Sequence, residues 1–423
     1  MHVKKVDIIL SGSINAIIGP VGTFKRMLGD RKYFENRGYD ISVYTSESII
    51  HGAYRVAPTI EHVQADAAET TSLVWRVRHA IGTFIRNKAR TNKWFAIFMI
   101  ERSKRNVRKL IKYYVQHDQN TDVVQCHSDL EMYYYLKLRN NSHAITNMFL
   151  HTDGYPFKML LMYHPCLEGT KYFKKYEENF NWTVANVDNI EFIAKIGQEN
   201  FLKHFPCRNK DNTGVILNGI NDLTDEQIGE VELYKSQTYD FKYRLCCTGT
   251  INNRKGHRFI IEALHRLPIE LLNLIHVDFL GEGAERPVLE NLVRKYGITN
   301  NVTFHGVVAN VDVYKYLAQN NIYILMSKNE GLPISIIEAM RASMMVISTK
   351  ISGIPELVRE GYNGFLMNPD TDELVECLMK LPETDIEEMG KNSRFRFENE
   401  FTFARMEREF CDMYDNFYRK QRQ

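Results

Sequence analysis

The chain has no long apolar run and no organised set of cysteines, and both absences narrow its class. No stretch approaches the ~20 apolar residues that a membrane-spanning helix needs; Trp94 to Ile100 is apolar but too short. The opening Met-His-Val-Lys-Lys-Val-Asp leads straight into strand-like sequence and lacks the apolar core of a signal peptide. The seven cysteines (126, 166, 207, 246, 247, 377 and 411) form no CxxC pair and no framework of the secreted type, which fits a reducing cytoplasm. Neither charge sign dominates: 54 basic residues face 52 acidic ones over 423 residues. The balance alone therefore points to no particular partner. The expectation is a cytoplasmic protein, soluble or seated on a membrane surface, of two or three domains that each bury a core.

What is present is an alternation of strands and helices. Val6 to Leu10 reads as a first strand buried on both faces. Gly19-Pro20-Val21-Gly22-Thr23 then opens a helix that Gly38 ends, and Asp40 to Tyr44 forms a second strand. Glycines between a first strand and a first helix let a ligand approach the backbone, although the pattern is not the dinucleotide GxGxxG. Further strands are expected at Asp122 to Cys126, Ala144 to Leu150, Trp182 to Asn186 and Gly214 to Leu217. Two of them end in histidine, His127 and His151, at the edge where open α/β sheets hold ligands. His127 reads equally well as structural. His151, just before Asp153-Gly154, is the functional candidate.

A polar passage near 205–212 marks a boundary. A second alternating set follows, with strands at Tyr243–Thr248, Ile275–Leu280, Val302–His305, 321–327, Met345–Thr349 and Gly364–Met367. The predicted organisation is a domain over 1–210, a second over 211–400, and a terminal helix over 401–423 packing back on the first. Both domains read as doubly wound α/β, facing each other across a cleft.

Between 72 and 115, Arg76, Arg78, Arg86, Lys88, Arg90, Lys93, Arg102, Lys104, Arg105, Arg108, Lys109 and Lys112 face one acid, Glu101, with Trp and Phe interleaved. Such a basic amphipathic stretch suits an anionic lipid surface. It is also what a solvated helical face over a core would show. No nucleic-acid motif accompanies it.

The most informative stretch is Asn329-Glu330-Gly331-Leu332-Pro333-Ile334-Ser335-Ile336-Ile337-Glu338. It follows an apolar strand and opens a helix near Pro333, so it aims backbone N–H groups and a helix dipole at the carboxyl edge of a sheet. An anion such as a diphosphate suits that place. Carboxylates repel phosphate, so Glu330 and Glu338 are expected to accept from sugar hydroxyls instead. Thr248-Gly249-Thr250 leads to Arg254-Lys255-Gly256, two cations at another strand end that could neutralise a departing diphosphate. Gly281-Glu282-Gly283 and Ser352-Gly353-Ile354-Pro355 add two more close-approach turns to the same edge.

These motifs resemble, in order, those of retaining glycosyltransferases of the GT-B fold, group 1 or family 4. The matching elements are Glu330-Gly331-Leu332-Pro333 with Glu338 (an E-x7-E), Gly353-Ile354-Pro355-Glu356 followed by Gly361-Tyr362-Asn363-Gly364, Leu217-Asn218-Gly219-Ile220-Asn221, and Arg254-Lys255-Gly256. The resemblance implies that Glu338 holds ribose hydroxyls and Glu330 the donor sugar. The backbone of Gly331, Leu332, Pro333 and Ile334 would meet sugar and phosphate, and Arg254 and Lys255 the diphosphate. His151 would lie beside the sugar, with Gly19, Gly22 and Gly249 lining the donor's path. It implies transfer with retention from a nucleotide-sugar, with UDP the expected nucleotide. The acceptor would be a glycan or lipid-linked saccharide of polysaccharide biosynthesis, with no cofactor, no metal and no nucleic acid. Thr250 stands where the family commonly has Arg, and Asn221 where it has Asp. Two alternatives stay open: an inactive GT-B subunit stabilising a partner transferase, and a soluble transferase acting on a protein or small molecule. Nothing reads as a pyridoxal-phosphate lysine.

Overall fold

The computed structural model describes residues 3–12, 21–56, 82, 84–85, 87–117, 120–140, 142–237 and 239–421. They form two compact units: one built from residues up to 217 together with 406–421, the other from 218–405.

The first unit is organised on six parallel strands: β1 Lys4–Ile9, β2 Tyr39–Tyr44, β3 Val123–Cys126, β4 Ile145–Leu150, β5 Asn189–Phe192 and β6 Thr213–Val215. Their spatial order is β2-β1-β3-β4-β5-β6. All four residues of β3 and β5 and all six of β4 are buried, as expected where helices cover both faces of a parallel sheet. The terminal helix Phe403–Gln421 packs here: Phe410 stacks on Phe149, Tyr414 meets Tyr39, and Asp415 binds Lys4 at 2.7 Å.

One expectation fails in this unit. Trp182 to Asn186 is not a strand but the end of the helix Lys171–Asn186, which Thr170 caps through its side chain and which buries Phe173, Phe180, Thr183 and Val184 at helical spacing. The strand is β5, Asn-Ile-Glu-Phe, whose buried Asn189 and Glu191 conceal it from a search for apolar runs. The basic stretch is helical on both sides of a break at Asn92. Asn92 accepts the Phe95 N–H at 3.0 Å and so caps a new helix, Lys93–His117. Residues 72–81, 83 and 86 of that stretch, among them Arg76, Arg78 and Arg86, lie outside the described residues.

The second unit carries β7 Tyr243–Thr248, β8 Ile275–Leu280, β9 Val302–Gly306, β10 Ile322–Leu325, β11 Met345–Thr349 and β12 Gly364–Met367. The order β12-β11-β10-β7-β8-β9 is the dinucleotide-fold arrangement 3-2-1-4-5-6 read from the other edge. Its connections reverse direction between β7 and β10, which opens a crevice at their carboxyl ends.

Candidate functional site

The loops after β7 and β10 meet at that reversal. Asn252 accepts the Lys255 N–H through its side chain and shapes a tight turn; Gly256, with φ +73°, then turns the chain into the helix His257–Arg266. A Cβ on Gly256 would fall onto the Met326 carbonyl oxygen, so only glycine admits this contact between the two loops. Lys328 N–H donates to the Arg254 carbonyl at 2.8 Å, and the Arg254 guanidinium to the Asn329 carbonyl at 2.7 Å.

The side chains follow from that stitching. Glu330 Oε1 lies 2.9 Å from both Arg254 Nη1 and Lys255 Nζ, and it accepts from Ser327 Oγ at 2.7 Å. Its side chain is 9% exposed, that of Lys255 12% and that of Arg254 27%. Burial by itself would raise the Glu330 carboxyl, but Lys255, then Arg254 and Ser327, outweigh it and hold the group below its ordinary value. The cluster of two cations and one carboxylate keeps one positive charge in a largely dry place.

Glu338 sits half-buried on the helix Ile334–Arg341, whose Ile336, Ile337, Ala339 and Met340 are buried. Pro333 holds extended φ and ψ before that helix; Ile336 N–H bonds the Pro333 carbonyl at 3.1 Å, which leaves the N–H groups of Ile334 and Ser335 as those with no helix carbonyl one turn back. Two residues fix the Gly331-Leu332 turn: Gly353 N–H donates to the Gly331 carbonyl at 3.0 Å, and buried Asn218 donates its amide to the Leu332 carbonyl at 2.9 Å. Gly249 (φ +127°) lies against the Lys255 side chain, and a Cβ on Gly281 would strike the Gly249 carbonyl. Thr250 is exposed beside them. Thus Gly249, Arg254, Lys255, Glu330, Gly331, Leu332, Pro333, Ile334 and Glu338 share one sheet edge. Sequence reasoning gave no role to Ser327, although its position at a strand end was visible. It also passed over His257, buried beside this turn with neither ring nitrogen bonded among the described residues, its imidazole pushed by burial down to about 4.

In the first unit the two histidines meet. His127 Nδ1 lies 2.8 Å from His151 Nε2, and His127 Nε2 lies 2.8 Å from Gln125 Nε2. Burial pushes His127 well down and His151 to about 4, so both imidazoles are neutral at pH 7. Buried Glu131 accepts the backbone N–H groups of Ser11 and His127, tying the loop after β1 to that after β3; burial lifts its carboxyl to about 7 despite those bonds. Gly22 falls in the first turn of the helix Val21–Gly29, and Gly19 lies outside the described residues. A cavity of about 550 Å³, lined by Arg139, His143, Asp188, Asn212 and Lys420, lies at the opposite, amino edge of this sheet and contains none of these groups.

Comparison with known proteins bears on the fold and the family. Residues 232–396 match the family Glycosyl transferases group 1. The chain is 26% identical over 54% of its length to an uncharacterized glycosyltransferase of Methanocaldococcus jannaschii, and 31% identical over 28% to the lipopolysaccharide core biosynthesis glycosyltransferase LpsE of Rhizobium meliloti. It spans 58% of the first relative and 33% of the second. Among solved structures, HepE of Anabaena in complex with UDP superposes with a TM-score of 0.63 at 15% identity, covering 97% of this chain and 99% of that one. The fold is therefore GT-B, and the match over residues 232–396 supports a group 1 glycosyltransferase.

Proposed function

We propose that the chain is a retaining, metal-independent glycosyltransferase that moves a sugar from a nucleotide-sugar, with UDP the expected nucleotide, to a hydroxyl of a glycan or lipid-linked saccharide. The observation that carries this reading is the Arg254–Glu330–Lys255 cluster at the switch point of the second sheet. A departing diphosphate needs positive charge that is already in place and poorly hydrated, because reorganising water would cost much of the stabilisation. Arg254, Lys255 and the N–H groups at Ile334 supply it. Glu330 holds the two cations together in the free protein and, in this reading, turns to the sugar hydroxyls when the diphosphate takes its place. Glu338, one helical turn further, is assigned the ribose hydroxyls. His151 is assigned to the donor sugar. No carboxylate is needed as nucleophile, since the leaving phosphate can take the acceptor's proton on the face where it departs.

The polysaccharide assignment draws on LpsE, a lipopolysaccharide-core transferase by name. A specific surface supports a lipid-linked acceptor. On the helix Lys93–His117, Trp94, Phe98, Arg102, Arg105, Lys109 and Lys112 follow one another at three- and four-residue steps and are all exposed. That face carries aromatic groups at one end and cations along the rest, with one acid, the half-exposed Glu101, beside Arg105 and paired to Lys104; its excess of positive charge suits an anionic membrane surface. Lys104 does not belong to it: buried, it binds Glu101 and Tyr172 at 2.9 Å each. No helix among the described residues is long and apolar enough to cross a membrane.

The test is donor hydrolysis. Purified protein is incubated with UDP-, GDP- and ADP-sugars and free nucleotide is assayed, then anomeric configuration is read by NMR once an acceptor is found. Release from one donor that is lost in Glu330→Ala, with an α product from an α donor, is expected. Full release in Glu330→Ala, or an inverted product, would overturn the reading.

A further inference from the structure

We propose that a buried hydrogen-bond chain starting on the C-terminal helix fixes His151 as its Nδ1–H tautomer, so that it donates a hydrogen bond to an oxygen of the sugar donor and does not act as a base. The proposal rests on the assignment of His151 to the donor.

The chain begins at a group that can only accept. Met413 Sδ, a thioether, lies 3.5 Å from Asn147 Nδ2. Turning the Asn147 amide over would set its oxygen against the sulfur, two acceptors in contact. With the nitrogen there, Asn147 donates its other N–H to Gln125 Oε1 at 3.1 Å, and Tyr414 donates its hydroxyl to the same oxygen at 3.2 Å. The Gln125 oxygen is thereby committed on that side. Its amide nitrogen faces His127 Nε2 at 2.8 Å, and an amide nitrogen only donates. His127 Nε2 must accept, which places the His127 proton on Nδ1. That N–H points to His151 Nε2 at 2.8 Å, which must accept in turn. The proton of neutral His151 is left on Nδ1, a nitrogen with no partner among the described residues. Each step follows from the inventory of donors and acceptors and needs no assumption about substrate.

The surroundings explain why the chain stays in one direction. Gln125 and Asn147 are register partners on β3 and β4, and neither is exposed at all. Asn147 Oδ1 has no partner among the described residues, but Gln125 cannot turn over alone, because its amide nitrogen would then face the Asn147 nitrogen, donor against donor; a reversal must take the whole row at once. Phe149 stacks on both imidazoles, at 5.1 Å from His127 and 5.3 Å from His151, and Phe24 meets His127 edge-on at 4.3 Å. The rings therefore cannot rotate to exchange nitrogens. Burial keeps both neutral, without which a tautomer would have no meaning. Gln125, Asn147 and His127 are positioning residues: they act on the sugar only through His151.

The experiment uses the full chain labelled with ¹⁵N-histidine, without ligand, at pH 7. Long-range ¹H–¹⁵N spectra distinguish protonated from unprotonated ring nitrogens, and His151→Gln identifies the His151 signals. The expected wild-type result is a protonated Nδ1 and an unprotonated Nε2 on both His127 and His151. Gln125→Glu places a carboxylate where the amide nitrogen stood, which demands an N–H from His127 Nε2; both rings should then switch to Nε2–H, and kcat should fall about ten-fold or more with KM little changed. Met413→Leu keeps the volume but removes the fixed acceptor, and should give mixed tautomers in a folded protein even if Gln125→Glu does not fold. An Nε2–H His151 in the wild type, or pure Nδ1–H in Met413→Leu, overturns the chain. Full turnover in His151→Gln overturns the donor role. The spectra need no substrate, so they stand even if the glycosyltransferase reading fails in the nucleotide assay.

Discussion

Glu330→Gln is the sharpest perturbation, because it removes one charge from a nearly dry cluster of three while keeping the shape. In the wild type the carboxylate lies 2.9 Å from each cation. At an effective dielectric near 20 each contact is worth roughly 5–6 kcal/mol of Coulomb energy, most of it offset by the cost of desolvating the charges. Breaking a buried pair typically costs about 3–5 kcal/mol. Arg254, at 27% side-chain exposure, can relax toward water, and the amide still accepts from Ser327; a net loss of about 2 kcal/mol follows. For a unit of this size that is a fall of roughly 4–8 °C in melting temperature. A diphosphate should restore it, since two uncompensated cations now await an anion. The melting-point gain from saturating UDP should therefore be larger in Glu330→Gln than in wild type, while donor turnover drops. The pH dependence has a definite sign: the folded carboxyl titrates below its ordinary value, so its contribution is present above that range and lost as pH falls through it. Wild type and variant should differ at pH 7 and converge in acid. Differential scanning fluorimetry across pH, with and without UDP, measures all three. An unchanged melting temperature together with an unchanged UDP gain would refute the ion-pair cluster as drawn.

Other outcomes follow from single contacts. Replacing Arg102, Arg105, Lys109 and Lys112 with Glu should release the protein from phosphatidylserine vesicles in co-sedimentation without lowering its melting temperature, because all four are exposed; retained binding would remove the membrane surface. Asn218→Ala leaves the Leu332 carbonyl without its amide and should cost about 1–3 kcal/mol, with a raised KM for the donor as the Gly331-Leu332 turn loosens. Gly281→Ala, at φ +145° and against the Gly249 carbonyl, should impair folding, seen as loss of soluble protein. The two imidazoles held low by burial place an acid limit on the first unit. The unfolded chain takes its protons near pH 6.5 and the folded one only near 4 at His151, so stability is full above 6.5 and falls between the two. A His127→Gln, His151→Gln double variant should melt with a shallower pH dependence over that window.

The sequence by itself determined the elements and their order. Met345–Thr349, buried at every position, is a strand with the bounds its sequence marks, because burial on both faces of a parallel sheet leaves no room for another pattern; Tyr243–Thr248 and Ile275–Leu280 also keep their predicted bounds. The glycines and prolines of the second unit likewise located its loop crossings, since only glycine fits where one backbone touches the next. Composition failed where polar residues are buried. β5 was hidden by Asn189 and Glu191, and the apolar Trp182 to Asn186 belonged to a helix whose cap at Thr170 lies twelve residues earlier. Pairing was decided only in three dimensions. Charge counting makes Lys104 one cation among twelve, but helical phase and Tyr172 turn it inward. Glu330 was legible as a carboxylate near a helix start, yet its hold on Arg254 and Lys255 depends on β7 and β10 being neighbours, which joins loops whose bonded residues Arg254 and Asn329 are seventy-five apart in sequence. His127 could not be told from a structural histidine until the fold set Gln125 and Asn147 in register and brought Met413 from the far end of the chain. Local sequence fixes backbone conformation through sterics and burial pattern, whereas the state of a charge or a proton depends on whichever groups the topology brings within hydrogen-bond distance.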